Sequence, residues 1–357
     1  MQGRRLGYRK AIIATGSCPW LPSIAGLADV APLTSDTAWG LASQPAALAI
    51  LGGGAIGCEL AQAFVRLGSR VALIEAGDRL LAHEEPRASE LVASRLRAEG
   101  VEVWCGAKTT SVRGSCAGGR ADVDHGDRSA RIEFDRLLVA VGRTPSSSDL
   151  GLDRIGALTD QRGAVRVDPR LCTTAAHVYA VGDVRGAMAF THVAAYHARV
   201  ATVNALFGMR RRVDYAAVPR VTFTDPEVAG IGLTEAEARS RWRDPAVVSF
   251  DYAELNRAVA ERRAYGFAIL IGDPRGRLVG ATIAAPGGAE SIAELAVWAA
   301  SGAKIDRVSQ TVHAYPTLSE GPARAADAQL RARYAAPATQ RVARGALRVL
   351  GRLDHPR

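Results

Sequence analysis

An α/β architecture is predicted by three features of the sequence. Residues 48–75 read as strand, glycine turn, amphipathic helix and strand, the order of a parallel βαβ unit. Further short apolar strands and helical stretches carry that alternation to about residue 207. From Pro219 the order changes to strand-like runs and helices in α+β alternation, which places a domain boundary near residue 216. A length of 357 residues fits two or three domains.

Taken in order, residues 10–16 (KAIIATG) predict a short buried strand ending at a glycine. Residues 18–45 carry Pro19, Pro22, Pro32 and Pro45 and predict an irregular connector. LAILGGGAIGCELAQAFVRLGSRVALIE (48–75) supplies the βαβ unit. Residues 86–99 show helical periodicity at Leu91, Val92 and Leu96, while VEVW (101–104) and RLLVAVG (136–142) read as strands. The Gly-, Ser- and Asp-rich stretch 113–130 reads as a hairpin turn. HVYAVGD (177–183) reads as a strand running into a helix over about 191–207, and RRRVDY (210–215) as a linker. In the last domain, strands are expected at 219–223, 267–271 and 278–284, and helices at 234–242 and 289–301.

Composition narrows the class. Hydrophobic residues make up 48% and charged residues 23%, which argues against global disorder. No run reaches the roughly 18 apolar residues of a membrane span, and the apolar run of MQGRRLGYRKAIIATGS is too short for a signal-peptide core. Cytoplasm is therefore the expected compartment. The formal charge is +9, but residues 321–357 hold eight Arg against Asp327 and Asp354, or +6, leaving +3 for the rest. A high pI concentrated in the tail does not mark a nucleic-acid binder. Cys18, Cys58, Cys105, Cys116 and Cys172 show no CxxC, CxxxxC or zinc spacing and are expected to be small buried hydrophobes. His192 and His197 are five apart, a poor spacing for a metal pair on one helix, so no metal site is expected.

Gly52, Gly54 and Gly57 form GxGxxG between a predicted strand and helix, the context in which that pattern carries a mechanism. The first glycine permits the tight turn, the second lets backbone approach a pyrophosphate, and the third lets helix and strand pack closely. Gly53, Ala55 and Ile56 complete the turn, and Glu59 follows within the helix; the helix N-terminus offers N–H groups to phosphate. Glu75 ends the next strand, where a carboxylate can accept both adenosine ribose hydroxyls and repel a 2′-phosphate. NAD is thus favoured over NADP, though nearby Arg79 leaves NADP open.

With this motif placed, the chain resembles the flavin-dependent pyridine nucleotide–disulfide oxidoreductases, in their mercuric-reductase-like and dihydrolipoamide-dehydrogenase-like branch. The blocks are KAIIATGS (10–17), ILGGGAIGCELAQAFVRLGSRVALIE (50–75), LLVAVGRTP (137–145), VYAVGDV (178–184), FTHVAAYHA (190–198), FTDPEVAGIGLTEAEA (223–238) and YPTLSE (315–320). The resemblance implies an α/β fold with a Rossmann-like NAD domain inserted in an incomplete FAD domain, followed by an α+β dimerisation domain. The implied limits are 1–45 for a residual FAD segment and connector, 46–145 for the NAD(P) domain, 146–215 for the second FAD segment, 216–335 for dimerisation and 336–357 for a basic tail. Thr15 and Gly16 would lie near the flavin, and the Gly142–Arg143 turn would face the nicotinamide. Asp183 would hydrogen-bond the ribityl hydroxyls, and Thr191 and His192 would start a helix facing the isoalloxazine. Read without the resemblance, Asp183 could equally cap the turn after its strand.

The resemblance implies an FAD-dependent oxidoreductase, a homodimer, that passes hydride from NAD(P)H to flavin and on to a small-molecule electron acceptor. Tyr315 and Glu320 would reach the partner's flavin as catalytic residues. The chain departs from the pattern in three ways. Family members begin with a further strand–GxGxxG–helix unit for FAD; nine residues precede KAIIATG here. The redox CxxxxC belongs to that same stretch. Where lipoamide dehydrogenases have HxHP, residues 313–316 read His-Ala-Tyr-Pro, so a phenol with a pKa of about 10 replaces the imidazole base. The expectation is that this chain alone binds FAD weakly and lacks dithiol activity. Two other readings stay open: a catalytically silent nucleotide-binding remnant, or a half completed by a separate N-terminal chain.

Residues 338–353 interleave Val342, Leu347, Leu350 and Leu353 with Arg341, Arg344, Arg348 and Arg352. Such a helix can lie on an anionic membrane surface or pack on its own subunit; packing is the expectation.

Overall fold

The computed structural model describes residues 7–353. The first six residues of the expected N-terminal segment and the last four of the expected basic tail lie outside them. The chain forms two compact units: residues up to Ala82 with Ala93–Tyr215, and His83–Val92 with the chain from Ala216 onward.

The first unit contains β1 (Ala11–Ile13), β2 (Ser17–Pro19), β3 (Leu33–Thr34), β4 (Ala47–Leu51), α1 (Ala55–Arg66), β5 (Arg70–Glu75), the end of α2 (Pro86–Ala98), β6 (Glu102–Cys105), β7 (Ala107–Ser115), β8 (Gly118–His125), β9 (Arg128–Phe134), β10 (Arg136–Val139), β11 (Arg143–Pro145), β12 (Val178–Ala180) and α3 (Thr191–Phe207). Its main sheet is parallel, in the order β3-β10-β4-β5-β6. β4 is buried at every position because a parallel sheet carries helices or loops on both faces. α1 turns Cys58, Leu60 and Ala61 into that core. β3 lies within the stretch expected to be an irregular connector, yet it supplies the sheet's outer strand. Two residues are too short for a periodicity to show.

Three expectations are corrected here. Residues 113–130 are not a hairpin turn: β7, β8 and β9 form an antiparallel meander whose turns occupy only the short gaps between them. Val112, Ala121, Val123 and Ile132 line one face of it, the alternation that Gly, Ser and Asp on the other face had masked. β1 is not a buried strand. Among the described residues it pairs in parallel with β12 alone, and Ile12 is 40% exposed. The apolar run of 11–13 is real, but among the described residues no third strand covers it. Of the five cysteines expected to be buried, Cys58 alone is; Cys18 and Cys116 are exposed and Cys105 and Cys172 are intermediate.

The second unit contains β13 (Arg220–Thr222), β14 (Glu227–Gly232), α4 (Glu235–Arg241), β15 (Ala246–Asp251), α5 (Asn256–Ala260), β16 (Phe267–Gly272), β17 (Leu278–Ala285), α6 (Gly288–Ala300), α7 (Asp306–Gln310), α8 (Glu320–Ala335) and α9 (Pro337–Leu353). Its sheet is antiparallel, in the order β13-β14-β17-β16-β15. α6 covers β14 and β17, and α8 covers β15 and β16. Ile231, Tyr252, Leu270, Ile283, Ile292 and Leu295 fill the space between. α4 starts at a reciprocal cap: the Glu237 N–H donates to the Thr234 hydroxyl at 3.3 Å, and the Thr234 N–H donates to the Glu237 carboxylate at 2.8 Å. Val342, Leu347 and Leu350 of α9 do not pack on their own chain as expected, since all three are exposed, and the Leu353 side chain lies outside the described ones. Among the described residues, no helix is long and apolar enough to cross a membrane.

Candidate functional site

In an open parallel sheet, ligands gather at the carboxyl ends of the strands. The β4 end leads into Gly52, whose N–H donates to Ile74 O at 2.8 Å, and the β10 end is tied back by Ala140 N–H to Leu51 O at 2.7 Å. Gly52 has φ +107°, and a Cβ there would stand 2.5 Å from Ala140 O. A Cβ on Gly57 would meet Gly52 O at 1.8 Å. These two glycines let turn, helix and neighbouring strand close on one another. Gly54 differs. It is exposed, and nothing lies within 4 Å of where its Cβ would be. It is the N-cap of α1, and no side chain caps the helix, so the first-turn amides of Ala55, Ile56 and Gly57 are offered to an outside acceptor.

Glu75 closes this turn. One carboxylate oxygen accepts the Gly53 N–H at 2.5 Å and the other accepts the Gly77 N–H at 2.6 Å. The carboxylate is thereby fixed at the β5 end beside the open helix N-terminus. Glu59 lies one turn into α1 and is partly buried. Arg79 donates to Ala82 O at 2.6 Å. Behind the turn, the buried Cys58 thiol donates to Gly53 O at 3.4 Å, and burial pushes its pKa up, so it packs rather than reacts.

A second cluster forms where β1 and β12 end. β1 runs into Thr15, Gly16 and Ser17, and β12 into the short 3-10 turn Gly182–Arg185. The Ser17 hydroxyl donates to Asp183 at 2.9 Å and accepts from Arg143 Nε at 2.7 Å. The same guanidinium reaches Ser17 O at 2.8 Å, the Ser35 hydroxyl at 2.8 Å and Asp36 at 2.9 Å, which holds the Asp36 carboxyl below its usual range. Arg143 is thus anchored, while Gly142 beside it lines a cleft of about 660 Å³ with Trp20, Arg162 and Gly186. Thr15 spends its hydroxyl on Ser146 O at 2.6 Å. Thr191 and His192 open α3, are exposed, and have no side-chain cap before them; His192 stacks on Phe190 with centroids 5.3 Å apart.

Sequence reasoning missed what stands behind Gly182. Its N–H donates to His197 Nδ1 at 3.2 Å, and His197 Nε2 lies 2.8 Å from the Tyr215 hydroxyl. Arg185 Nη1 donates to that hydroxyl at 2.6 Å and lies 3.0 Å from Nε2. His197 has no exposed surface; burial first, and Arg185 second, pull its pKa down to about 4. Ser17 was passed over as well. Its place directly after the ATG turn was the available signal.

In the second unit, Tyr315 and Glu320 hydrogen-bond to different partners. Tyr315 is 66% exposed and its hydroxyl accepts from Asn256 at 2.8 Å. Glu320 is buried at the start of α8, where it accepts the Thr317 N–H at 3.2 Å and pairs with Arg324 at 3.2 Å. The imidazole that Glu320 lacks is not replaced by Tyr315. The histidine–carboxylate pair that does form is His313 with Glu294, at 2.9 Å, with Trp298 Nε1 donating to the same carboxylate at 3.1 Å. Among the described residues, no group of three or more His, Cys, Asp or Glu is placed to hold a metal.

A Rossmann-like α/β unit followed by an antiparallel α+β unit is the class of fold this chain adopts. The chain belongs to the pyridine nucleotide-disulphide oxidoreductase family: its family model matches residues 1–198, and the model of the family's dimerisation domain matches 218–326. It is 38% identical over 310 residues to a mercuric reductase of Streptomyces lividans, covering 87% of this chain and 65% of that protein. It is 33% identical over 325 residues to a dihydrolipoyl dehydrogenase of Geobacillus stearothermophilus, covering 90% and 68%. The solved structure of the HOCl-induced flavoprotein disulfide reductase RclA from Escherichia coli, as its Cu(II) complex, superimposes with a TM-score of 0.82 at 29% identity, covering 89% of this chain and 72% of that one. The chain spans about two thirds of the length of the curated relatives it matches.

Proposed function

We propose that this chain works in an FAD-dependent oxidoreductase of the family type, as a homodimer, accepting hydride from NADH and passing electrons through flavin to a small-molecule acceptor. The observation that carries this reading is the Gly52–Gly57 turn: an uncapped helix N-terminus, open space at Gly54, and a fixed carboxylate at Glu75. That cradle fits a dinucleotide. The α1 amides would hold the pyrophosphate, and Glu75 has acceptor capacity left for ribose hydroxyls beyond its two backbone bonds. The same carboxylate disfavours a 2′-phosphate, which supports NADH over NADPH.

The loops after β1 and β12 fit the ribityl and ring side of a flavin: Asp183 offers a carboxylate steadied by Ser17, and the α3 start at Thr191 and His192 offers uncapped amides. Thr15, Gly16, Gly142 and Arg143 shape the surroundings. On this reading residues 1–45 and 146–215 serve the flavin, 46–145 the nicotinamide cofactor, and 216–335 the subunit interface. When bound, the two cofactors supply the hydride and the electron sink; the protein holds them in place. Tyr315, exposed and oriented by Asn256, stands free to act at a second subunit, and as a phenol it serves as hydrogen-bond donor rather than base near neutrality.

Calorimetric titration of the chain with NADH and NADPH tests the cradle. Saturable NADH binding, tighter than NADPH, is expected; tighter NADPH binding, or none of either, removes the reading.

A further inference from the structure

The closing helix α9 has a composition unlike the rest of the molecule. Within Pro337–Leu353 there is no acidic residue, and Arg341, Arg344 and Arg348 recur at intervals of three and four. At about 3.6 residues per turn these arginines fall within a sector of roughly 60°. Val342, Ala346, Leu350 and Leu347 fall on the other side, within roughly 140°. Val342 is 73% exposed, Leu347 67% and Leu350 54%. These three described apolar residues are therefore bare toward their own chain, and every charge on the helix is positive.

We propose that α9 is a docking surface for an anionic phospholipid membrane, lying in the interface plane. Charge complementarity selects this occupant. A second α9 laid against the first would set arginine near arginine with no carboxylate on either helix to offset them. A lipid headgroup layer supplies phosphate to the arginines, while Val342, Leu347 and Leu350 enter the acyl boundary and the guanidinium stems reach back to the headgroups. Seventeen residues make a helix of roughly 25 Å, and its arginines keep it from spanning, in line with the absence of any spanning helix among the described residues. The charge distribution agrees: residues 321–357 carry +6 of the formal +9.

The test is co-sedimentation of the full chain with vesicles of phosphatidylcholine alone and of phosphatidylcholine mixed with phosphatidylglycerol. Binding is expected to the mixed vesicles only, and to weaken with salt. Replacing Arg341, Arg344 and Arg348 together by Gln is expected to weaken partitioning about a hundredfold, at roughly fivefold per arginine. A Val342→Glu, Leu350→Glu variant, checked by circular dichroism for an intact fold, is expected to lose binding altogether. No sedimentation with anionic vesicles overturns the proposal, as does binding that survives the apolar-face variant. So does a change of oligomeric state in that variant without vesicle binding, which would assign α9 to a contact between copies.

Discussion

The Ser17 hydroxyl stands 2.9 Å from the Asp183 carboxylate, across 166 residues of sequence, and joins the loops that end β1 and β12. Because it also accepts from Arg143 Nε at 2.7 Å, one hydroxyl connects three segments of the first unit. Ser17→Ala leaves a cation and an anion without their shared partner. The expected cost is about 1–2 kcal/mol, at the low end of the roughly 1.5–3 kcal/mol of hydrogen bonds to charged groups because both residues keep partial solvent access. Urea denaturation measures it, and an unchanged midpoint would show that Asp183 and Arg143 are held by other means.

The two kinds of glycine in the turn separate folding from binding. Gly57→Ala brings a Cβ to within 1.8 Å of Gly52 O, which backbone cannot easily yield, so a loss of more than about 2 kcal/mol is expected. Gly54→Ala meets nothing within 4 Å and sits at φ −73°, so only the N-cap preference for glycine over alanine acts against it, and the loss of stability should stay below about 1 kcal/mol. Its methyl group nevertheless occupies the space in front of α1, and NADH affinity should fall at least about tenfold, or 1.4 kcal/mol. Thermal melts alongside a binding titration decide the matter. Equal NADH affinity in Gly54→Ala and the parent would place the cofactor elsewhere.

Glu75 has two duties in this account, and Glu75→Ala removes both. Gly53 and Gly77 lose the acceptor of their N–H groups, at about 1 kcal/mol for each bond. The ratio of NADPH to NADH dissociation constants should move toward one. A variant that keeps the parental ratio would show that another group reads the ribose.

Most of the first unit could be read from the sequence because parallel strands buried on both faces leave unbroken apolar runs, as at Ala47–Leu51, and because Gly52, Gly54 and Gly57 punctuate the passage to α1. The second unit was harder. β14 contains Gly230 and Gly232, which break its apolar run, yet a Cβ at Gly232, where φ is +56°, would stand 2.1 Å from Val279 O, so the strand needs a glycine at its end. β15 is an outer strand without full burial and has a weak pattern. The Ser17–Asp183 and Gly182–His197 contacts join residues 15 or more apart across separate elements, and no local periodicity encodes such a meeting. Tyr315 and Glu320 are close in sequence but are turned to different partners, which spacing alone does not reveal.

His197 makes stability depend on pH. Its folded pKa of about 4 lies below its unfolded value near 6.5, so between these the unfolded chain binds more protons. The stabilisation is complete above the unfolded pKa and is lost as pH falls toward the folded one, by on the order of 3 kcal/mol across the window. Below it, a charged imidazole would face Arg185 and could no longer accept the Gly182 N–H. Chemical denaturation of the parent and His197→Gln at pH 7.5 and pH 5 tests this: the parent's advantage should shrink by about 2 kcal/mol at the lower pH. A constant difference would mean that His197 does not titrate in this range.

Hydride transfer in the proposed oxidoreductase requires a nicotinamide cofactor and a flavin to be brought together by this chain. The most direct measurement is anaerobic rapid mixing of the chain, supplied with FAD, against NADH, followed through the flavin absorbance. Bleaching is expected to saturate with NADH, to be slower with NADPH, and to be strongly slowed in Gly54→Ala. A flavin that binds but is not reduced by NADH, or one reduced equally well in Gly54→Ala, would contradict the proposed function.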